Sequence, residues 1–155
     1  MRLAAWLLLG VALGIVALTN WRLRALRPSF LRPQFAYSRQ AFESLIGHWT
    51  DGQRAEYRLL LRADFATLAC YGAFGALWAA GSPRLADTSA PTLVGWALCL
   101  PVAAVADAIE NTLHLRFTQP GRPPWPDWHY RAAGLASAVK FVLIACFAGF
   151  AVSGP

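Results

Sequence analysis

The segment PTLVGWALCLPVAAVADAIENTLHLRF, residues 91–117, decides the fold class of this chain. It is long enough to cross a bilayer as one helix, since a span needs about 20 mostly apolar residues. Its C-terminal half nevertheless carries Asp107, Glu110, Asn111 and His114. Their spacing of i, i+3, i+4 and i+7 places them on one face of a helix. The segment therefore predicts a membrane span with an ordered polar face.

The rest of the chain has the composition of a membrane protein. Of its 155 residues, 57% are hydrophobic and only 14% are charged, whereas a soluble domain carries about 25% charged residues. Apolar segments of near-spanning length predict four spans, at residues 3–18, 59–80, 92–115 and 132–152. We therefore expect an all-α, four-helix transmembrane bundle in which residues 1–155 form a single integral membrane domain. Residues 3–18 could instead be a signal peptide, but the arginine-dense stretch after them lacks a small-x-small cleavage site, which favours a retained anchor.

The arginines lie in the segments between spans and predict the orientation. Eleven fall after the first or the third predicted span, against Arg2 and Arg84 on the other side. These eleven are Arg22, Arg24, Arg27, Arg32, Arg39, Arg54, Arg58, Arg62, Arg116, Arg122 and Arg131. The positive-inside rule places them in the cytoplasm, with both termini on the opposite side. Because the positive charge is spread over these segments, we expect no nucleic-acid partner.

Residues 34–49 (QFAYSRQAFESLIGHW) lie between the first two predicted spans and have a roughly helical spacing of apolar side chains. They predict a cytoplasmic amphipathic helix. One placement is on the inner leaflet, with arginines near lipid phosphates. The other is beneath the bundle, as a soluble cap. The sequence leaves both open.

The polar face of the third span needs partners inside the bundle, because a single central acid facing lipid costs roughly 2.5–3.5 kcal/mol on insertion scales. Asp107 and Lys140 each lie nine residues from an arginine that marks the same membrane interface. At 1.5 Å per residue both are about 13 Å deep, so the antiparallel spans should pair them. Asp64, on the second span, matches the depth of residues 110–114.

Six polar residues on three spans exceed what helix adhesion requires, and they predict a functional site. Asp107 and Glu110 are the candidate catalytic acid/base groups or cation ligands, with Lys140 as their counter-ion. The candidate ligand-binding residues are Asp64, Asn111 and His114. We expect no metal site, since zinc would need more His or Cys at this level, and no cofactor can be named. In the alternative, structural interpretation, these contacts only hold the spans together, at around 0.6 kcal/mol each.

Several of these residues also form a recognisable pattern. An amphipathic segment ends in Trp49, Asp64-Phe65 begins the second span with Tyr71 beyond it, a D-x-x-E-N motif (107–111) lies in the third span, and Lys140 lies in the fourth. Over residues 35–152 the chain thereby resembles a group of small bacterial four-span membrane proteins of uncharacterised function. The resemblance implies a multi-pass protein of the bacterial inner membrane. It implies no activity.

Three functions fit the sequence. The first is a site that binds or acts on a small, lipid-like amphiphile or its head group. The second is an accessory subunit that braces a larger membrane-protein assembly. The third is proton or cation handling, which the nearly apolar outer half of the spans disfavours. Whether the protein is an enzyme stays open.

Overall fold

The computed structural model describes residues 2–121 and 123–153. Arg122, one of the eleven arginines that predict the orientation, lies outside the described residues, as do residues 1, 154 and 155. The described chain forms five α-helices and two short 3-10 turns, and no strand. The helices are α1 (Arg2–Leu23), α2 (Arg39–Ile46), α3 (Asp51–Gly81), α4 (Ala90–Phe117) and α5 (Asp127–Val152). The predicted all-α fold is confirmed.

Three of the helices, α1, α4 and α5, are long and apolar enough to cross a membrane. These helices contain the predicted spans 3–18, 92–115 and 132–152. Their length and composition are those of a membrane protein. The predicted span 59–80 lies within α3, which is not among the three. α3 has 31 residues, but charged side chains occupy its N-terminal half. Its apolar part is therefore shorter than that of the other three.

The start of α3 is set by a capping box. The Thr50 hydroxyl accepts a hydrogen bond from the Gln53 backbone N–H, while the Gln53 side chain accepts one from the Thr50 N–H. Together these bonds satisfy two backbone donors at the helix start. The helix thus begins eight residues before the predicted span, which adds about 12 Å of charged helix. This extension carries Tyr57 to the level of His114.

The long helices pack in the order α1, α3, α4, α5, each along the next. Two glycines of α3 allow its close contact with α4. A Cβ at Gly75 would lie 2.5 Å from the Leu100 Cβ, and one at Gly72 would lie 3.3 Å from the Ala104 Cβ. Small residues at such contacts let helix backbones approach each other. The close approach sets α4, with its polar face, directly against α3.

The segment predicted as one amphipathic helix over residues 34–49 is interrupted, which corrects that boundary. A 3-10 turn (Arg32–Phe35) is followed by extended backbone at Ser38, whose hydroxyl caps α2 by accepting the Ala41 N–H at 3.2 Å. A serine in extended conformation at this position competes with a continuous helix. In α2, Phe42 is fully buried against the bundle. On its exposed side, the carboxylate of Glu43 accepts a hydrogen bond from Arg39 and raises the pKa of that guanidinium.

Candidate functional site

Lys140 on α5 lies between two buried carboxylates of α4. Its Nζ is 2.9 Å from Asp107 Oδ1 and 2.7 Å from Glu110 Oε2. All three residues are less than 7% exposed. The predicted pairing of Asp107 with Lys140 is confirmed. The structure adds Glu110 as a second partner, because positions i and i+3 of α4 lie one above the other.

Asp64 on α3 joins this group through Asn111. The Asn111 side-chain amide donates a hydrogen bond of 2.8 Å to Asp64 Oδ2. Asp64 is half-buried, whereas Asn111 is buried. The predicted depth of Asp64, level with residues 110–114, agrees with this contact.

Tyr71 completes the group from α3, since its hydroxyl donates to Asp107 Oδ2 at 3.3 Å. Tyr71 belongs to the pattern that carries the resemblance, but it was not among the predicted site residues. Its spacing in the sequence could have identified it as a site residue, because Asp64 and Tyr71 are seven residues apart and share one face of α3. We use the name polar cluster for Asp64, Tyr71, Asp107, Glu110, Asn111 and Lys140.

His114 lies apart from the polar cluster, one turn further along α4. Its Nδ1 is 2.8 Å from the Tyr57 hydroxyl, and the rings of Phe42 and Phe117 lie against it at 5.2 and 6.0 Å between centroids. It is 1% exposed. The structure therefore places this predicted ligand-binding residue in an aromatic contact between α2, α3 and α4. Tyr57, its partner, was not anticipated, although it precedes Asp64 by seven residues on the same helix face.

A cavity of about 1090 Å³ lies beside the polar cluster, between α1, α3 and α5. Most of its wall is apolar, with residues such as Leu9, Leu13, Phe74, Ile144 and Phe147. Most members of the polar cluster line one part of it, namely Asp64, Tyr71, Asp107, Asn111 and Lys140, and the arginines Arg2 and Arg84 line its other end. Glu110 does not line the cavity and lies behind Asp107 and Lys140. A ligand in this cavity would thus meet apolar side chains along most of its length and charged side chains toward each end.

The charges of the polar cluster do not balance. Three carboxylates and one ammonium leave two negative charges if all are ionised. Arg58 and Arg62 are the nearest arginines along α3, but Arg58 donates to the Thr118 carbonyl at 3.4 Å and Arg62 is exposed. Neither forms an ion pair with the polar cluster in residues 2–121 and 123–153.

Two residues that line the cavity each hold a buried polar atom without a protein partner. Within the described part of the chain, Gln34 Oε1 and Thr67 Oγ1 have no hydrogen-bond partner, and the same holds for Glu110 Oε1 behind them. Gln34 is 8% exposed and Thr67 4%. A buried polar atom without a partner costs about 1–3 kcal/mol, so such atoms call for an explanation.

No group of three or more His, Cys, Asp or Glu side chains in the described residues is arranged to hold a metal ion. Cys70, Cys99 and Cys146 are free thiols. The polar cluster itself offers three carboxylates, one ammonium, an amide and a phenol hydroxyl.

The chain matches no protein-family model, curated protein or solved structure with which it was compared. The fold and the site define its class: an all-helical protein with three membrane-capable helices and a buried ion cluster beside an apolar cavity.

Proposed function

We propose that the protein is a four-span integral membrane protein that binds a small amphiphile, with the tail in the cavity and the head group at the polar cluster. The observation that carries the proposal is the cavity itself, whose apolar wall ends at buried, charged side chains. Ligand sites are mostly apolar concavities with a few converging polar groups.

The fourth span in this proposal is α3. It packs between α1 and α4, both of which are apolar enough to cross a membrane. This position between two membrane-capable helices supports a fourth span. Most charged residues of α3 fit this placement, because Asp64 faces the polar cluster and residues 51–58 belong to the N-terminal extension of the helix.

We place the arginine-rich segments in the cytoplasm and both termini outside it, in a bacterial inner membrane. The support is the distribution of arginines and the resemblance noted above. Residues that carry the resemblance also touch each other: Asp107 and Glu110 bind Lys140, Asn111 binds Asp64, and Tyr71 binds Asp107. These contacts support the interpretation that the residues of the pattern form one structural unit, which a short motif alone would not indicate.

Within a bilayer, the apolar wall cannot select the ligand by hydrophobicity alone, because lipid tails are as apolar as leucine. Selection must come from the head group and from shape. The polar cluster supplies charged groups for this purpose at the end of the cavity where Asp107 and Lys140 are exposed to it. Binding, rather than a specified reaction, is the function that these contacts support.

The test is to fill part of the cavity with a larger side chain and to measure the fraction of protein that binds a probe amphiphile. Ala148→Trp adds an indole to the cavity wall, and Ala145→Trp adds one to the same helix outside the wall. Both proteins are purified in a mild detergent and incubated with dodecylamine, dodecanol or dodecanoic acid. Native mass spectrometry then gives the fraction of protein with one bound probe. Thermal unfolding confirms that the two variants are equally stable.

We expect at least one probe to bind the wild-type protein in a saturable, one-to-one manner. Ala148→Trp should lower this binding by about tenfold or more, the equivalent of 1.4 kcal/mol, while Ala145→Trp leaves it intact. Equal losses in both variants, or no saturable binding of any probe, would contradict the proposal. A stable, empty protein that co-purifies with another membrane protein would support the accessory-subunit alternative instead.

A further inference from the structure

The end of the cavity at the polar cluster presents mainly hydrogen-bond acceptors. Asp64 receives one hydrogen bond from the described residues, that from Asn111, at one of its two oxygens. The Lys140 ammonium, which also lines the cavity, is already within 3 Å of Asp107 and Glu110. If all three carboxyls of the polar cluster are ionised, they exceed its positive charge before any ligand arrives.

Thr67 and Gln34 are two further polar residues that line the cavity. Thr67 follows Asp64 by three residues on α3, so their side chains share a face. Gln34 is fixed at the level of Lys140, because the ring of the adjacent Phe35 stacks on Phe141 at 5.5 Å between centroids. Their side-chain oxygens, Gln34 Oε1 and Thr67 Oγ1, have no hydrogen-bond partner in the described residues, but they are enclosed by protein rather than open to the cavity.

The opposite end of the cavity has the opposite charge. Arg2 and Arg84 line it there, and the Arg84 guanidinium donates to the carbonyls of Phe150 and Ala151 at 3.3 and 2.6 Å. A charged head group of either sign therefore has a preferred end. An anion would be repelled from the end that holds Asp64 and Asp107.

We propose that the ligand is a single-chain amphiphile with a protonated amine as its head group, and that Asp64 is its counter-ion. A primary ammonium has three N–H donors and no acceptor. One of these donors matches the Asp64 oxygen that receives no hydrogen bond from the described residues. The inference rests on the proposed binding function and names the substrate class for the same site.

The experiment compares the three dodecyl probes at equal chain length and neutral pH, again by native mass spectrometry of the full-length protein. Dodecylammonium should bind the wild-type protein most tightly, and dodecanoate least tightly. Asp64→Asn keeps the size of the side chain and removes its charge. It should weaken dodecylammonium binding by about 30-fold, as expected for the loss of one partner of a buried charge pair. Dodecanol binding should change little.

Asp87→Asn is the matched control, since Asp87 is an exposed loop residue and the substitution changes the net charge equally. It should leave all three affinities unchanged. Equal weakening by both variants would overturn the role of Asp64. If dodecanoate binds the wild type as tightly as dodecylammonium, and Ala148→Trp still removes both, the amine inference fails and the binding cavity stands. If none of the three probes binds, the proposed function fails first.

Discussion

Replacing Lys140 with methionine is expected to destabilise the protein strongly. The substitution preserves much of the aliphatic side chain but removes the ammonium that lies 2.9 Å from Asp107 and 2.7 Å from Glu110. Both carboxylates then remain buried without their counter-charge. Removing one partner of a buried ion pair costs about 3–5 kcal/mol. For a chain of this size, that corresponds to a fall in the unfolding midpoint of roughly 6–20 °C.

The assay is thermal unfolding in one detergent, followed by circular dichroism of the helices. Arg22→Met is the control, because it breaks another ion pair of the same length, between Arg22 and Glu56 at 2.9 Å. Those side chains are 48% and 35% exposed. A solvent-exposed pair is worth about 0–1 kcal/mol, so the control should shift the midpoint by less than about 4 °C.

A triple variant distinguishes the loss of the Lys140 hydrogen bonds from the effect of the carboxylates that are left without a counter-charge. Lys140→Met combined with Asp107→Asn and Glu110→Gln removes the charges while keeping similar volumes. Since the cost of the single change lies mainly in the uncompensated carboxylates, the triple variant should recover most of the lost stability. The reasoning is refuted if Lys140→Met unfolds within about 2 °C of the wild type, a difference below 1 kcal/mol. It is also refuted if the triple variant is as unstable as the single one.

Two further stability predictions use the same assay. Gly75→Ala should lower the free energy of unfolding by about 1–3 kcal/mol through overpacking, because the added Cβ would lie 2.5 Å from the Leu100 Cβ of α4. Gly95→Ala is the control, since its Cβ would have nothing within 4 Å, and it should be neutral or stabilising. Equal effects of the two substitutions would disprove the contact. Tyr57→Phe should cost about 1–3 kcal/mol, because it leaves the buried Nδ1 of His114 without its hydroxyl partner. Tyr37→Phe, at a 43% exposed tyrosine, should have little effect, and a similar loss there would contradict a specific role for the Tyr57 bond.

The features that sequence predicted well are those set by local periodicity. The four apolar segments all lie in helices, and the spacing of Asp107, Glu110 and Asn111 gave their shared face directly. The equal depth of Asp107 and Lys140 in the membrane also predicted their pairing. Glu110 was missed as the second partner because a lysine side chain is long enough to reach two residues one helical turn apart. Depth alone cannot choose between positions i and i+3.

The features that sequence missed depend on helix ends and on tertiary packing. The contact of Tyr57 with His114 exists because the capping box of Thr50 and Gln53 starts α3 two turns early. The N-cap at Ser38 similarly breaks the segment that was predicted as one helix. The cavity could not be predicted, since it depends on where α1 packs against the other helices, and the apolar face of α1 does not specify a single neighbour.

The packing of α1 also determines the route by which a ligand would reach the cavity, and so which concentration sets its occupancy. α1 lies mainly along α3, and its residues Leu13 and Val16 line the cavity while remaining 59% and 41% exposed. The cavity is therefore open sideways, toward what would be the hydrocarbon of a bilayer. A ligand that arrives by this route never crosses water. Its occupancy would then follow its mole fraction among the lipids rather than its aqueous concentration, so diluting the membrane with other lipid would empty the site even at constant total ligand.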